Sequence, residues 1–224
     1  MSNQQMLILV LQLIIIFILT RISTNNLFKT GYLLLKGESR IFTLISFIYL
    51  PGTIIHEIAH YLMATVLFLK VKHVSILPKK HNNLILLGSV EYEKKDPVRG
   101  FIVGIAPIIS GIFFIWLIFW LRIFPSNNLL INILCIYGIF TISSTMFSSS
   151  QDLQDGLMIL IMGITLAMVF WIINIDIYPL LKGILTLSAK LSFLVVVNYY
   201  LFITIAIHLG IIILLKGVRY FLQK

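Results

Sequence analysis

Residues 41–69 read IFTLISFIYLPGTIIHEIAHYLMATVLFL, a long apolar run that holds two histidines and a glutamate near its middle. An α-helix needs about 20 apolar residues to cross the hydrocarbon layer of a membrane. The stretch therefore predicts a membrane helix that is either tilted or broken, and the sequence favours a break at Pro51 and Gly52.

The composition of the whole chain points the same way. Of its 224 residues, 59% are hydrophobic and 11% are charged, whereas a soluble domain is about half apolar and about a quarter charged. This balance excludes a soluble or a disordered protein. We therefore expect an all-α polytopic membrane protein, a single integral membrane domain over 1–224 embedded in a lipid bilayer. Its apolar runs predict about six transmembrane helices, at 6–20, 41–69, 98–121, 129–147, 156–175 and 191–215.

Residues 70–99 differ in kind from the apolar runs. Two β-favouring pieces, 71–77 and 84–92, flank a proline and polar residues, a pattern typical of a β-hairpin. We expect this short hairpin on the membrane surface or dipping into it, directly after the 41–69 helix. A polar connector is predicted at 21–40. The core would cover about 41–175, with peripheral helices at 6–20 and 191–215.

The distribution of basic residues indicates how the chain is oriented in the membrane and does not indicate a nucleic-acid partner. Seventeen Lys and Arg stand against eight Asp and Glu, and the basic residues lie between the apolar runs. Ten of them fall on the hairpin side and seven on the other, which favours both termini and the hairpin in the cytoplasm. Cys135 is the only cysteine, so the sequence excludes an intrachain disulfide and a zinc site built on cysteines. His208, within 191–215, is interpreted as a helix-packing or interface residue.

The residues with the clearest chemical meaning are His56, Glu57 and His60, within HEIAH at 56–60. An ionisable group at membrane depth costs about 2.5–3.5 kcal/mol on insertion scales and is a functional candidate for that reason. Positions i and i+4 share a helix face, so both histidines can bind one zinc ion, with the glutamate beside them as general base. The alternatives are a chance match and a structural polar cluster between helices, and the cost of burial favours the zinc site.

A catalytic zinc usually takes three protein ligands, so a third is needed. The candidates are Asp152 and Asp155, in SSSQDLQDG at 148–156, a turn that alternation of the spans places on the same membrane side as the histidines. Serines followed by acids also cap helices, which is the competing interpretation. Either aspartate would coordinate the metal while the other orients a histidine.

The chain resembles the site-2 protease family of intramembrane zinc metalloproteases over about 41–175. The resemblance rests on HEIAH, the hairpin-like segment after it, GIAPIISG at 104–111, and an aspartate motif that is either SSQDL at 149–153 or Asp155-Gly156. It implies a zinc-dependent hydrolase, a small bacterial-type member in the cell membrane. It also implies Glu57 as the catalytic residue and a zinc ion held by His56, His60 and one aspartate.

The primary hypothesis is therefore a metalloprotease that hydrolyses peptide bonds of a membrane protein or peptide substrate within or near its transmembrane segment. The edges of the hairpin strands would hold that substrate extended. Asn residues usual in the family are absent here, which leaves a second hypothesis, an inactive zinc-binding scaffold or chaperone of the same fold. A metal-ion transporter ranks third because no inverted repeat is evident. The sequence carries no signal for an oligomeric state.

Overall fold

The computed structural model describes residues 2–35, 37–75, 79–81, 84–86, 88–147 and 193–223, together with positions 161, 164, 165 and 168. The elements are α1 (Ser2–Leu34), α2 (Glu38–Val66), β1 (Val71–Ser75), β2 (Lys79–His81), β3 (Leu84–Leu86), β4 (Ser89–Tyr92), α3 (Pro97–Trp120), α4 (Leu129–Thr145) and α5 (Phe193–Leu222).

The described part of the chain is mostly helical, as predicted. Four of its helices, α1, α2, α3 and α5, are long and apolar enough to cross a membrane, and α4 is a shorter apolar helix. Apart from four single positions, the predicted span at 156–175 lies outside the described residues. A count of six spans therefore stays a prediction.

The first helix is longer than predicted. The connector expected at 21–40 is wrong over its first part, because α1 continues to Leu34. Several of its polar residues are compatible with a continuing helix because their side chains are hydrogen-bonded. The Thr24 hydroxyl lies 3.0 Å from the Tyr49 hydroxyl of α2, and Asn26 donates to the carbonyl of Ile22. The chain turns only near Gly37, whose φ of 120° suits glycine.

Helices α1 and α5 pack along a seam that includes polar side chains. His208 is fully buried, with Nδ1 3.1 Å from the Ser23 hydroxyl of α1 and Nε2 2.9 Å from the Ser143 hydroxyl of α4. Further along the seam, the Gln12 amide donates to the carbonyl of Asn198. The interpretation of His208 as a helix-packing residue is confirmed, because its ring joins three helices.

The break predicted at Pro51 and Gly52 is wrong, because α2 runs through both residues. A proline costs a helix one hydrogen bond but is tolerated in apolar helices that neighbouring elements support. Gly52 serves packing instead: a Cβ there would collide with the carbonyl oxygen of Thr141 and lie 2.5 Å from the Thr145 hydroxyl. The missing side chain lets α2 and α4 approach closely.

This crossing yields a stability prediction. Gly52→Ala should lower the free energy of unfolding by about 1–3 kcal/mol, because the added methyl group meets backbone that has no room to move. Gly138→Ala in α4 is the matched control, since nothing lies within 4 Å of a Cβ at that position. The control should be neutral or stabilising by up to about 1 kcal/mol. Denaturant titration in mixed micelles measures both, and equal effects of the two variants would contradict the crossing.

The hairpin predicted between 71 and 92 is confirmed, with shorter strands. β1 pairs antiparallel with β4, and β2 with β3. The register places His73 opposite Glu91 and Ser75 opposite Ser89, with an irregularity between Val71 and His73. Both ladders thus join a strand from the first half of the segment to one from its second half.

The end of α2 fixes where the hairpin begins. Phe68 takes a left-handed φ of 56°, its N–H donates to the carbonyl of Thr65, and the N–H of Leu69 donates to that of Ala64. This pattern of bonds ends a helix and reverses the chain. Leu69 then packs on Ala64 and on Val103 of α3, which sets the hairpin beside the helix face that carries HEIAH.

Candidate metal centre

His56 and His60 lie one turn apart on α2, and each ring is held by a backbone carbonyl of another helix. His56 Nδ1 lies 2.6 Å from the carbonyl oxygen of Thr145 in α4, and His60 Nδ1 lies 2.9 Å from that of Val103 in α3. A carbonyl oxygen only accepts hydrogen bonds, so Nδ1 of each ring carries the proton. In the neutral form, both Nε2 atoms are then left with a lone pair.

The two Nε2 atoms point at each other. They are 3.1 Å apart, with the ring planes at 83°. Two lone pairs at this distance repel unless a cation or an additional proton lies between them. Zinc–nitrogen bonds of about 2.0–2.1 Å in a tetrahedral site separate two nitrogen ligands by about 3.3 Å. The pair therefore fits two ligand positions of one zinc ion.

The carbonyl that holds His56 is available because α4 ends there. The last four carbonyls of a helix have no N–H partner within it, and Thr145 is the final residue of α4. Close packing fixes this end on two sides. Gly52 of α2 lies against it, and a Cβ on Gly111 of α3 would stand 2.6 Å from Cβ of Met146, the residue that follows Thr145.

Glu57 is covered by the hairpin. The residue is 6% exposed, and Gly88, just before β4, lies directly against its side chain. A Cβ on Gly88 would stand 2.5 Å from Cγ of Glu57 and 2.7 Å from Oε1. The backbone of the hairpin therefore approaches the candidate general base as closely as a residue without a side chain allows.

The candidate metal centre lies near the C-terminal end of α2. His60 is six residues from the end of α2 at Val66, a distance of about 9 Å along the axis. Basic side chains cluster at that end, where Lys95 donates to the carbonyl of Phe68 and Arg99 to that of Leu67. The candidate site thus lies within the apolar part of α2, close to the end from which the hairpin begins.

The predicted third ligands, Asp152 and Asp155, lie outside the described residues, so their position stays a prediction. Within the described ranges, no group of three His, Cys, Asp or Glu side chains is arranged to hold a metal ion. His73 lies on β1, exposed and opposite Glu91 in the register. The structure thus brings together His56 and His60 of the predicted zinc ligands.

The pattern of side chains does not reveal every residue at the centre. Val103 and Thr145 contribute main-chain oxygens, for which their side chains give no signal. Gly88 had a signal, since a glycine within a β-favouring stretch often marks a close backbone approach.

Comparison of the chain with protein-family models, with curated proteins and with solved structures finds no match. The assignment of the centre therefore depends on its residues and their geometry.

Proposed function

We propose that the chain is an intramembrane zinc metalloprotease that hydrolyses peptide bonds of membrane proteins within or near their transmembrane segments. The observation that carries this proposal is the geometry of His56 and His60, whose Nε2 atoms lie 3.1 Å apart, with Glu57 buried next to them. Ionisable groups are costly to place in a layer that excludes water, and their presence there therefore indicates a function.

The proposal gives each residue a role. His56 and His60 would hold zinc together with Asp152 or Asp155. The metal supplies a Lewis acid, which polarises the scissile carbonyl and brings the pKa of a water molecule to about 7. Glu57 takes the proton of the attacking water and passes it to the leaving amine. The resemblance to the site-2 protease family supports the same assignment.

In this proposal, the hairpin presents the substrate to the metal centre. A peptide in a membrane helix hides its carbonyls in hydrogen bonds, so it must be unwound before hydrolysis. In the described ranges, β4 pairs with β1 alone, and it begins one residue after Gly88, beside Glu57. An extended substrate strand that pairs with the hairpin would bring its carbonyls to the centre.

The same proposal includes the arrangement in the membrane. About six spans would place both termini and the hairpin on the cytoplasmic side of a bacterial cell membrane, as the distribution of Lys and Arg favours. The four long apolar helices support the membrane location.

The proposal predicts the effect of removing the general base. The full chain is reconstituted in liposomes with single-span reporter proteins whose spans carry helix-weakening Gly and Asn residues. Glu57→Gln should keep its zinc but cut the rate of cleavage by about 10²–10⁴-fold, the usual contribution of general acid–base catalysis. Glu93→Gln, at an exposed position past the end of β4, is the matched control and should cleave at the wild-type rate.

The other hypotheses give different results in this experiment. Wild-type cleavage by Glu57→Gln would refute the mechanism. Bound zinc with no product from any reporter would support a scaffold or chaperone instead of a protease. Zinc flux across the liposome membrane without cleavage would support a transporter.

A further inference from the structure

The hydrogen bond between His60 and Val103 needs an explanation, because Val103 lies inside a helix. It is the seventh residue of α3, which runs from Pro97 to Trp120. In a regular helix, a carbonyl at such a position accepts the N–H of the residue four positions later. The partner of Val103 in this scheme is residue 107, and that residue is proline.

Proline acts on the carbonyl of Val103 in two ways. Pro107 has no N–H, so the hydrogen bond that would normally occupy this oxygen does not form. A proline ring also crowds the carbonyl four residues earlier and turns it away from the helix axis. Val103 itself is fully buried and packs on Ala64 and Leu69 at the end of α2, so its carbonyl is held on the side where His60 lies.

The two histidines are thus held by carbonyls that lack a helical partner, for different reasons. The carbonyl of Thr145 has no N–H partner within α4 because the helix ends there. The carbonyl of Val103 has none within α3 because the residue four positions later is Pro107. Both bonds place the proton on Nδ1 and leave Nε2 as the acceptor. Without the bond to Val103, the proton of His60 would be free to move to Nε2 and block the lone pair.

We propose that Pro107 is a positioning residue, which withholds an N–H from the carbonyl of Val103 and thereby fixes the tautomer and the ring orientation of His60. The benefit of this arrangement for zinc binding rests on the proposed function. The effect of Pro107 on the tautomer of His60 does not rest on it, because the tautomer is a property of the protein without metal.

Pro107→Ala tests this inference with a change that favours the helix, since alanine is about 3 kcal/mol better than proline in a helix interior. The new N–H should compete with His60 for the carbonyl of Val103. In metal-free protein labelled with ¹⁵N-histidine, at a pH high enough to keep both rings neutral, NMR should show His60 as the Nδ1–H tautomer in the wild type and as a mixture in the variant. Zinc affinity should fall about 10–100-fold, as for other partners of metal-binding histidines.

A backbone ester separates the missing N–H from the missing ring. Lactic acid at position 107 has the side chain of alanine but an ester oxygen in place of the N–H. We expect it to restore the wild-type tautomer and at least most of the zinc affinity. An ester variant that behaves as Pro107→Ala would overturn the proposal, and so would a Pro107→Ala variant that keeps the Nδ1–H tautomer.

The result is separable from the proposed function. If the wild-type protein bound no zinc and cleaved no reporter, the metalloprotease proposal would fail, yet the ¹⁵N spectra of the three metal-free proteins would still decide the role of Pro107.

Discussion

His56→Ala and His60→Ala are each expected to abolish stable zinc binding. Each change removes one of two nitrogens that lie 3.1 Å apart and leaves the metal with one histidine. The loss of affinity should exceed the about 10–100-fold that follows loss of a residue that only orients a ligand. Competition with a chromophoric chelator measures the affinity. His73→Ala, on the exposed face of β1, is the matched control and should bind zinc as the wild type does.

The same titration identifies the third ligand. One of Asp152→Ala and Asp155→Ala should lose zinc as severely as the histidine variants. The other should lose about 10–100-fold in affinity if its carboxylate orients a histidine. Wild-type affinity in both aspartate variants would remove this pair from the proposed site and leave the histidines with a ligand from elsewhere.

Gly88→Val should abolish cleavage and leave zinc in place. The added Cβ would stand 2.5 Å from Cγ of Glu57, and the two further methyl groups need space that the buried carboxylate occupies. The hairpin or Glu57 must then shift, and a displacement of about 1 Å at a catalytic group can cost about 10²-fold in rate. We therefore expect a loss of at least this size in the reporter assay, with zinc stoichiometry unchanged.

Val90→Ala is the control for a general disturbance of the hairpin. It lies two residues further along, in β4, and removes atoms without adding any near Glu57. It should keep more activity than Gly88→Val by at least tenfold. Equal losses in the two variants would show that the strand as a whole is sensitive, and would contradict a specific contact between Gly88 and Glu57.

Much of the fold follows from patterns that the sequence displays openly. Long apolar runs predict helices, and a change to β-favouring pieces predicts the hairpin. The length of α1 could not be predicted in this way, because a polar residue such as Ser23 suggests a loop until its partner is known. That partner, His208, lies 185 positions away. Gly52 likewise suggests a break in the helix. Its role in a close contact becomes evident only from the carbonyl of Thr141, which lies opposite it.

The candidate site likewise has a part that the sequence predicts and a part that it does not. The spacing of His56, Glu57 and His60 reveals their shared face because the chemistry resides in their side chains. The oxygens that orient the histidines belong to the main chain of Val103 and Thr145, and any residue type has such an oxygen. Which carbonyls are free depends on where a helix ends or meets a proline, and which of them faces a histidine depends on packing between helices.

The central claim is that one zinc ion lies between His56 and His60. X-ray absorption at the zinc edge tests it most directly, on purified, tag-free protein loaded with zinc. The account predicts one zinc per chain, with the scattering of two imidazole rings and zinc–nitrogen distances of about 2.0–2.1 Å, and no zinc retained by His60→Ala after the same loading. A wild-type protein that retains no zinc, or a spectrum without imidazole scattering, would contradict it.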